Sequence, residues 1–298
     1  MRPLLVRLAR QLALIPLTAF VVYQLVALLP LGSDSEAKTA QLRSVHRQLE
    51  QDLGVGTPLG FLRPWERFFT GQSLDKAHTP TVDAGFVLRK LGGSLRIGGL
   101  ALLLALLWGT AFAAARLLAP WPALGAVLDL GPALVFGVPA FVLAIGVVLV
   151  TGQCLDPAEA WAYEPAAALV ASIGPGAFLG TLLRDALATE LARPYVTAAR
   201  ARGRSRAGAL LRHALPNALP VLLDALPPLA TALLAGSFVA EKTFNLPYFG
   251  LTYVTAVLNK EILLVVVATT LFACLLVVVS AAVGGLRLAL DPRGEDLP

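Results

Sequence analysis

The sequence predicts an all-α integral membrane protein, a polytopic bundle of about six transmembrane helices with a roughly 60-residue extracytoplasmic segment after the first span. Three observations carry this expectation. Hydrophobic residues make up 57% of the 298 and charged residues only 14%, where a soluble domain carries about 25% charged residues. The mean hydropathy is +0.73. The apolar residues are gathered into runs of about 20, the length a helix needs to cross the roughly 30 Å hydrocarbon core. Residues 1–298 therefore read as one transmembrane domain.

The first run, about residues 8–30, is led by Arg2, Arg7 and Arg10. It is longer than the apolar region of a signal peptide, about 7 to 15 residues, and no A-x-A site follows it, so it is read as the first span with its amino end inside. Residues 31–91 turn polar and form the extracytoplasmic segment. Within it Leu42, Val45, Leu49 and Leu53 recur at helical spacing, and Phe61, Trp65, Phe68 and Phe69 make an aromatic cluster suited to a membrane interface. A helix packed on the outer face of the bundle accounts for both.

The remaining spans are expected at about 95–118, 124–150, 166–187, 217–240 and 262–286. The run at 166–187 is the weakest, being rich in Ala and Gly and interrupted by Pro175. Charge parity decides it. With the amino end inside, the inner loops hold Arg116, then Arg184, Arg193, Arg200, Arg202, Arg204, Arg206 and Arg212, then Arg287 and Arg293, while the short outer loops hold only Lys242 and Lys260. Were the weak run not to cross, the arginine-rich loop would lie outside, against the positive-inside rule. The carboxyl end then falls inside as well.

The net charge of +5 is thus a topology signal, and no separate basic domain exists to bind nucleic acid. Lipid is the expected surrounding. Cys154 and Cys274 stand far apart with no Cys or His at ligand spacing, which predicts neither a disulfide nor a metal site. His46 and His78 fall in the outer segment and His213 in the basic loop, with no Ser/His pair and no HExxH, so no catalytic residue is expected. Asp129 lies near a span end, where it reaches the interface. Asp224 and Glu241 are the candidate pathway groups, because an ionisable residue within a span is a functional candidate by default. Asp224, set between Pro220 and the pair Pro227 and Pro228, either faces the pathway or caps backbone that the prolines free.

The loop at 188–216 is the most distinctive segment. Pro194 suits a helix start, Gly203 supplies the left-handed conformation that ends one, and Leu210 to Leu215 lead to Pro216 and Pro220 at the entry to the next span. Ala198 and Ala199, then Gly203, then His213, Leu215 and Pro216 keep a spacing of E-A-A, three residues, G, nine residues, I-x-L-P, with Thr197 in place of the Glu and His213 in place of the Ile. This resembles the cytoplasmic signature of the membrane subunits of binding-protein-dependent ABC importers, in the dipeptide, oligopeptide and nickel permease family. VAEKTFNLPYFGLTYVTAVLNKE, from Val239 to Glu261, is similar to that family's V-E-T-V-F-x-x-P-G-L-G segment, with Tyr248 and Phe249 departing from it.

The resemblance implies half of a translocation pathway for peptides or a similar small solute, in a bacterial inner membrane. It implies that Tyr195, Ala198, Ala199, Arg200, Arg202, Gly203, His213, Leu215 and Pro216 couple the chain to a separate cytoplasmic ATPase. It further implies a second homologous permease subunit and an extracytoplasmic solute-binding protein as partners. The chain has no G-x-x-x-x-G-K-[ST] loop, so it needs no cofactor of its own, and ATP and Mg belong to the ATPase. A proton-coupled secondary transporter is the alternative, since it too has broken helices and a buried acid, but it has no need of the coupling signature.

Overall fold

The computed structural model describes residues 16, 20–21, 62–71, 83–119, 121–151, 160–259 and 261–290. Most of the first apolar run, the Leu42 to Leu53 repeat, Phe61, Cys154, His46 and His78 lie outside these residues. Among the described residues every regular element is helical. They fall into two compact units, one formed by 1–92 with 252–281 and the other by 93–251 with 282–298.

In the first unit, α1 (Arg63–Thr70) opens with proline in its first turn and closes on Gly71 at φ +70. Phe68 meets Trp65 and Phe69 edge to face at 5.7 and 5.4 Å, so three of the four residues of the aromatic cluster read from the sequence come together on one helix. The long helix α2 (Ala84–Leu118) begins here. Asp83 caps it, its carboxylate accepting the Phe86 amide at 2.7 Å. Of α9 (Ile262–Leu290), Leu264, Val266, Val267 and Ala268 are buried, and Thr269 donates to the Tyr253 hydroxyl at 3.3 Å.

The second unit is built around α5 (Glu164–Leu191), which a short 3₁₀ turn, Ala160–Tyr163, leads into and Pro165 starts. It is the most buried of the four helices long and apolar enough to cross a membrane. Ala167, Ala168, Ala171, Gly176, Ala177 and Gly180 are buried along it. Its low hydropathy has a physical cause: small residues face protein here, where close approach matters more than solubility in lipid. On α2, Ile97, Ala101, Ala105, Gly109 and Ala113 form the matching stripe at four-residue spacing. The two backbones meet at Gly109, where a β-carbon would come 2.7 Å from the Gly176 carbonyl oxygen, and at Gly180, where one would come 3.0 Å from the Gly109 carbonyl oxygen. Gly176 and Gly180 form a G-x-x-x-G pair that lets α2 seat against α5.

The run expected to be one span at 124–150 is two helices, α3 (Pro122–Gly137) and α4 (Ala140–Thr151), bent by 97°. The cause is Pro139. It has no N–H to continue the ladder and drives its predecessor to extended geometry, and Val138 sits at φ −108, ψ 119. Counting that pair as one, the described residues hold up to five candidate spans, in accord with an all-α membrane bundle.

After α6 (Pro194–Ala201), helix α7 (Arg206–Thr243) returns along α5, and these two make the most extensive helix pairing in the unit. Leu179, Leu183 and Leu187 of α5 and Leu229 and Leu233 of α7 form its apolar centre. A π-turn at Leu210–Ala214 precedes Pro216, and the Leu215 amide reaches back to the Leu210 carbonyl. Because Pro216 has no N–H, the wider turn re-pairs the backbone where an α-helical bond is missing. Asn245, at φ +51, ends α7 in the left-handed conformation, with the Leu246 amide donating to the Glu241 carbonyl at 2.8 Å. Then follows α8 (Phe249–Leu258).

The glycine contact makes an expectation. Gly109→Ala should lower the thermal stability of the detergent-purified protein by about 1–3 kcal/mol, the usual cost of forcing atoms into a packed interface. Gly99→Ala, whose β-carbon meets nothing within 4 Å, should leave it unchanged or slightly raised. Equal melting temperatures for the two variants would mean that α2 and α5 are not in backbone contact.

Candidate functional site

The signature loop folds as helix, turn, helix. Arg193 is extended at φ −69, ψ 145, and Pro194 starts α6 with its φ already helical. Gly203 ends it at φ +86. The Gly203 amide donates to the Arg200 carbonyl at 2.9 Å and the Arg204 amide to the Ala199 carbonyl at 3.3 Å, the paired bonds of a Schellman turn. Ser205 then caps α7 by accepting the Gly208 amide at 3.1 Å. Three sequence features, Pro194, Gly203 and Ser205, thus fix where one helix stops and the next begins.

The α6 helix has two faces. Val196 and Ala199 are buried, while Tyr195, Ala198, Arg200 and Arg202 are exposed, and Arg204 and Arg206 extend the exposed basic surface beyond the turn. Of the two signature alanines, Ala198 is therefore open to a partner and Ala199 anchors the helix to the bundle. Among the described residues no acid pairs with Arg200, Arg202, Arg204 or Arg206. Arg202 folds back, its Nε donating to the Ala198 carbonyl at 3.2 Å.

Tyr195 ties the first helix to the second. Its hydroxyl donates to Glu190 Oε2 at 2.6 Å and accepts from Asn217 Nδ2 at 2.9 Å, and the same Asn217 amide donates to the His213 carbonyl at 2.8 Å. Desolvation, and then the Glu190 carboxylate beside it, push the Tyr195 phenol above its ordinary range, so it stays a neutral donor at any physiological pH. His213 and Leu215 are half-buried and Pro216 is exposed. The role of Asn217 was not read from the sequence, although its place in RHALPNAL, one turn after His213, was the available signal.

At the opposite end of α7, Glu241 is fully buried. Its Oε2 accepts the Gly250 amide at 2.6 Å and the Leu251 amide at 3.2 Å, which makes it the cap of α8. Among the described residues its Oε1 has no hydrogen-bond partner. Ser94 of α2 accepts the Phe249 amide at 3.0 Å, covering a further free N–H of the same helix start. Gly250 has to be glycine, since a β-carbon there would stand 2.7 Å from Glu241 Oε2 and 2.7 Å from the Phe238 backbone. Asp224, by contrast, is exposed on α7. Seventeen residues of helix, about 25 Å at 1.5 Å per residue, separate the two acids, so the structure does not bring them together.

Two further clusters close the ends of the unit. Asp129 of α3 accepts from Arg116 Nε of α2 at 2.9 Å and from Arg184 Nη1 of α5 at 2.9 Å. Near the other end, Tyr248 donates to Glu164, and Arg96 lies 3.7 Å from Glu164 and 5.7 Å from the Tyr248 ring centre. Tyr248, one of the two departures from the family pattern, rests on Gly93, where a β-carbon would come within 2.1 Å of its ring. The apolar lining of a cavity of about 400 Å³ lies between α4, α5 and α7.

Comparison with known proteins matches residues 105–295 to the family described as binding-protein-dependent transport system inner membrane component. The chain is similar to the dipeptide transport system permease protein of Lactococcus lactis, 26% identical over 262 residues that cover 82% of this chain and 84% of that one. It is 30% identical over 163 residues to the dipeptide transport system permease protein of Bacillus subtilis, covering 52% of each. It is 30% identical over 164 residues to the oligopeptide transport system permease protein of Haemophilus influenzae, covering 52% of this chain and 53% of that one. The last two matches span about half the length of those relatives.

Two outcomes are expected from this geometry. Tyr195→Phe removes a bond to Glu190 and one from Asn217, worth about 0.5–1.5 kcal/mol each when intact, so tryptic cleavage in the exposed Arg200 to Arg206 stretch should run several-fold faster than in the parent. Glu241→Ala strips the cap of α8 and should lower stability by about 0.5–2 kcal/mol, read as a lower melting temperature; an unchanged one would mean that the Ser94 contact alone holds the helix start.

Proposed function

The chain belongs to the family of binding-protein-dependent transport system inner membrane components, and on that footing we propose that it forms half of a peptide pathway driven through its 193–216 loop. It is a membrane-spanning subunit of an ABC importer and a multi-pass inner membrane protein, not an enzyme; ATP hydrolysis resides on partner subunits. The proton-coupled alternative is not favoured by this membership.

The observation that carries the coupling proposal is the exposed face of α6. Small Ala198 allows close approach, and four exposed arginines free of acidic partners among the described residues present fork-like donors to acidic groups around a cleft on the ATPase. The inward face, Val196 and Ala199, and the Tyr195 bonds to Glu190 and Asn217 join α6 to both α5 and α7. A push on α6 is thereby delivered to two helices at once. In this reading ATP and Mg bind the ATPase, both chain ends lie in the cytoplasm, a second homologous permease subunit completes the pathway, and an extracytoplasmic solute-binding protein delivers the cargo. Peptides are the proposed cargo because the relatives' names say dipeptide and oligopeptide transport.

The test is co-purification with the ATPase, followed by ATP-driven uptake in liposomes. Gly203→Val forces a branched side chain into φ +86, a conformation that costs L-residues about 1–2 kcal/mol or more, and should reduce ATPase retention at least tenfold. Arg200→Glu should do so without altering the melting temperature. Retention unaffected by both would place the coupling surface elsewhere on the chain.

A further inference from the structure

We propose that the cavity between α4, α5 and α7 is where this chain contacts the transported solute, receiving an apolar side chain, so that the importer favours neutral apolar peptides over those with charged side chains. This rests on the importer reading above and gives it a substrate class.

The cavity lies in a defined half of the bundle. α5 runs toward the arginine-rich loop and α7 runs away from it, and the lining residues 170–178 and 228–240 fall in the half of each helix remote from that loop. With the arginines inside, this is the outer half, where delivered solute arrives. At about 400 Å³ the cavity falls within the range of small-molecule sites, and no lining residue carries a charge or a polar side chain. A charged solute group entering it would lose its water and find no partner. The walls include Ala144, Gly174, Phe178, Ala232, Gly236 and Val239.

A peptide is a better occupant than a lipid chain for a reason in the backbone. Pro175 lines the cavity and has no N–H to give to the Ala171 carbonyl four residues back. That carbonyl oxygen faces Gly236 of α7, whose β-carbon position is 3.9 Å away, and both residues line the cavity. Pro228 lies within α7 on the facing wall and likewise gives no N–H to the helix. A helix carbonyl that loses its amide at membrane depth requires another donor. A peptide amide is such a donor, and an acyl chain is not.

Gly174 gives access to the test, because it lines the cavity and a β-carbon there meets nothing within 4 Å among the described residues. In the complete importer reconstituted in liposomes, with Cys154→Ser and Cys274→Ala as background, Gly174→Cys should react with a membrane-impermeant methanethiosulfonate added outside. Saturating Gly-Phe should slow that reaction at least fivefold and Gly-Asp should not. In parallel, Gly174→Leu should cut uptake of Gly-Phe about tenfold while leaving Gly-Gly within twofold. A thiol reached only by a lipid-soluble maleimide, or protected equally by both peptides, would overturn the proposal. Labelling needs no ATP, so selective protection in a preparation with no ATP-driven uptake would sustain the cavity as a solute site and sink the importer reading alone.

Discussion

Inside a bilayer a backbone N–H or C=O has no water to turn to, and this constraint organises the structure from its helix ends inward. Several breaks in the helical ladder come with a local remedy. Asn245, at positive φ, bends the chain so that the Glu241 carbonyl near the end of α7 is met by the Leu246 amide, and Gly203 does the same for α6 in the exposed basic loop. Glu241 and Ser94 meet the first amides of α8. The π-turn at Leu210–Ala214 re-pairs the ladder ahead of Pro216, and Val138 goes extended ahead of Pro139. These remedies are short-range, yet they decide which elements lie adjacent and therefore where the exposed basic helix and the apolar cavity stand.

That dependence explains how much was legible beforehand. Spans with ordinary apolar faces announce themselves by hydropathy, and the loop signature announces itself by the spacing of Gly203, His213, Leu215 and Pro216. The bend in the third run was not read, although Pro139 was in plain view. Its neighbours are as apolar as those of a straight span, and proline inside a membrane helix is common enough that Pro132 and Pro175 sit within helices here. What separates them is whether the preceding residue gives up helical geometry, a matter of surrounding packing. Glu241 was legible as an unusual intramembrane acid but not as a cap, because its partners, the amides of Gly250 and Leu251, carry no side-chain signal.

The charged clusters were half legible for a different reason. Arg116 and Arg184 were read as topology signals, and parity places them with Asp129 at one end of the bundle. Their convergence on a single carboxylate depends on α2, α3 and α5 being mutual neighbours, which no pattern along the chain states. Being one-quarter to two-fifths exposed, these side chains contribute less through raw attraction than through tying three helices together. The Glu164, Tyr248 and Arg96 cluster has the same form at the other end. It also gives a reason for Tyr248 where the family pattern has glycine: the ring fills the space that Gly93 leaves open.

α5, among the least apolar of the long helices, is the one around which the second unit is built. α5 is rich in alanine and glycine because two other backbones, those of α2 and α7, must come close to it, and closeness rather than burial area is what holds helices together where both solvent and side chains are hydrocarbon. The interface is close-packed: at Gly109 and Gly180 backbone meets backbone, with the Leu179 and Phe112 side chains against the same positions. In the coupling proposed above, a force on α6, joined through Tyr195 to the end of α5 and the beginning of α7, reaches both helices, and the close packing of the small residues that weaken the hydropathy of α5 is what would carry it toward the cavity that Pro175 and Pro228 line.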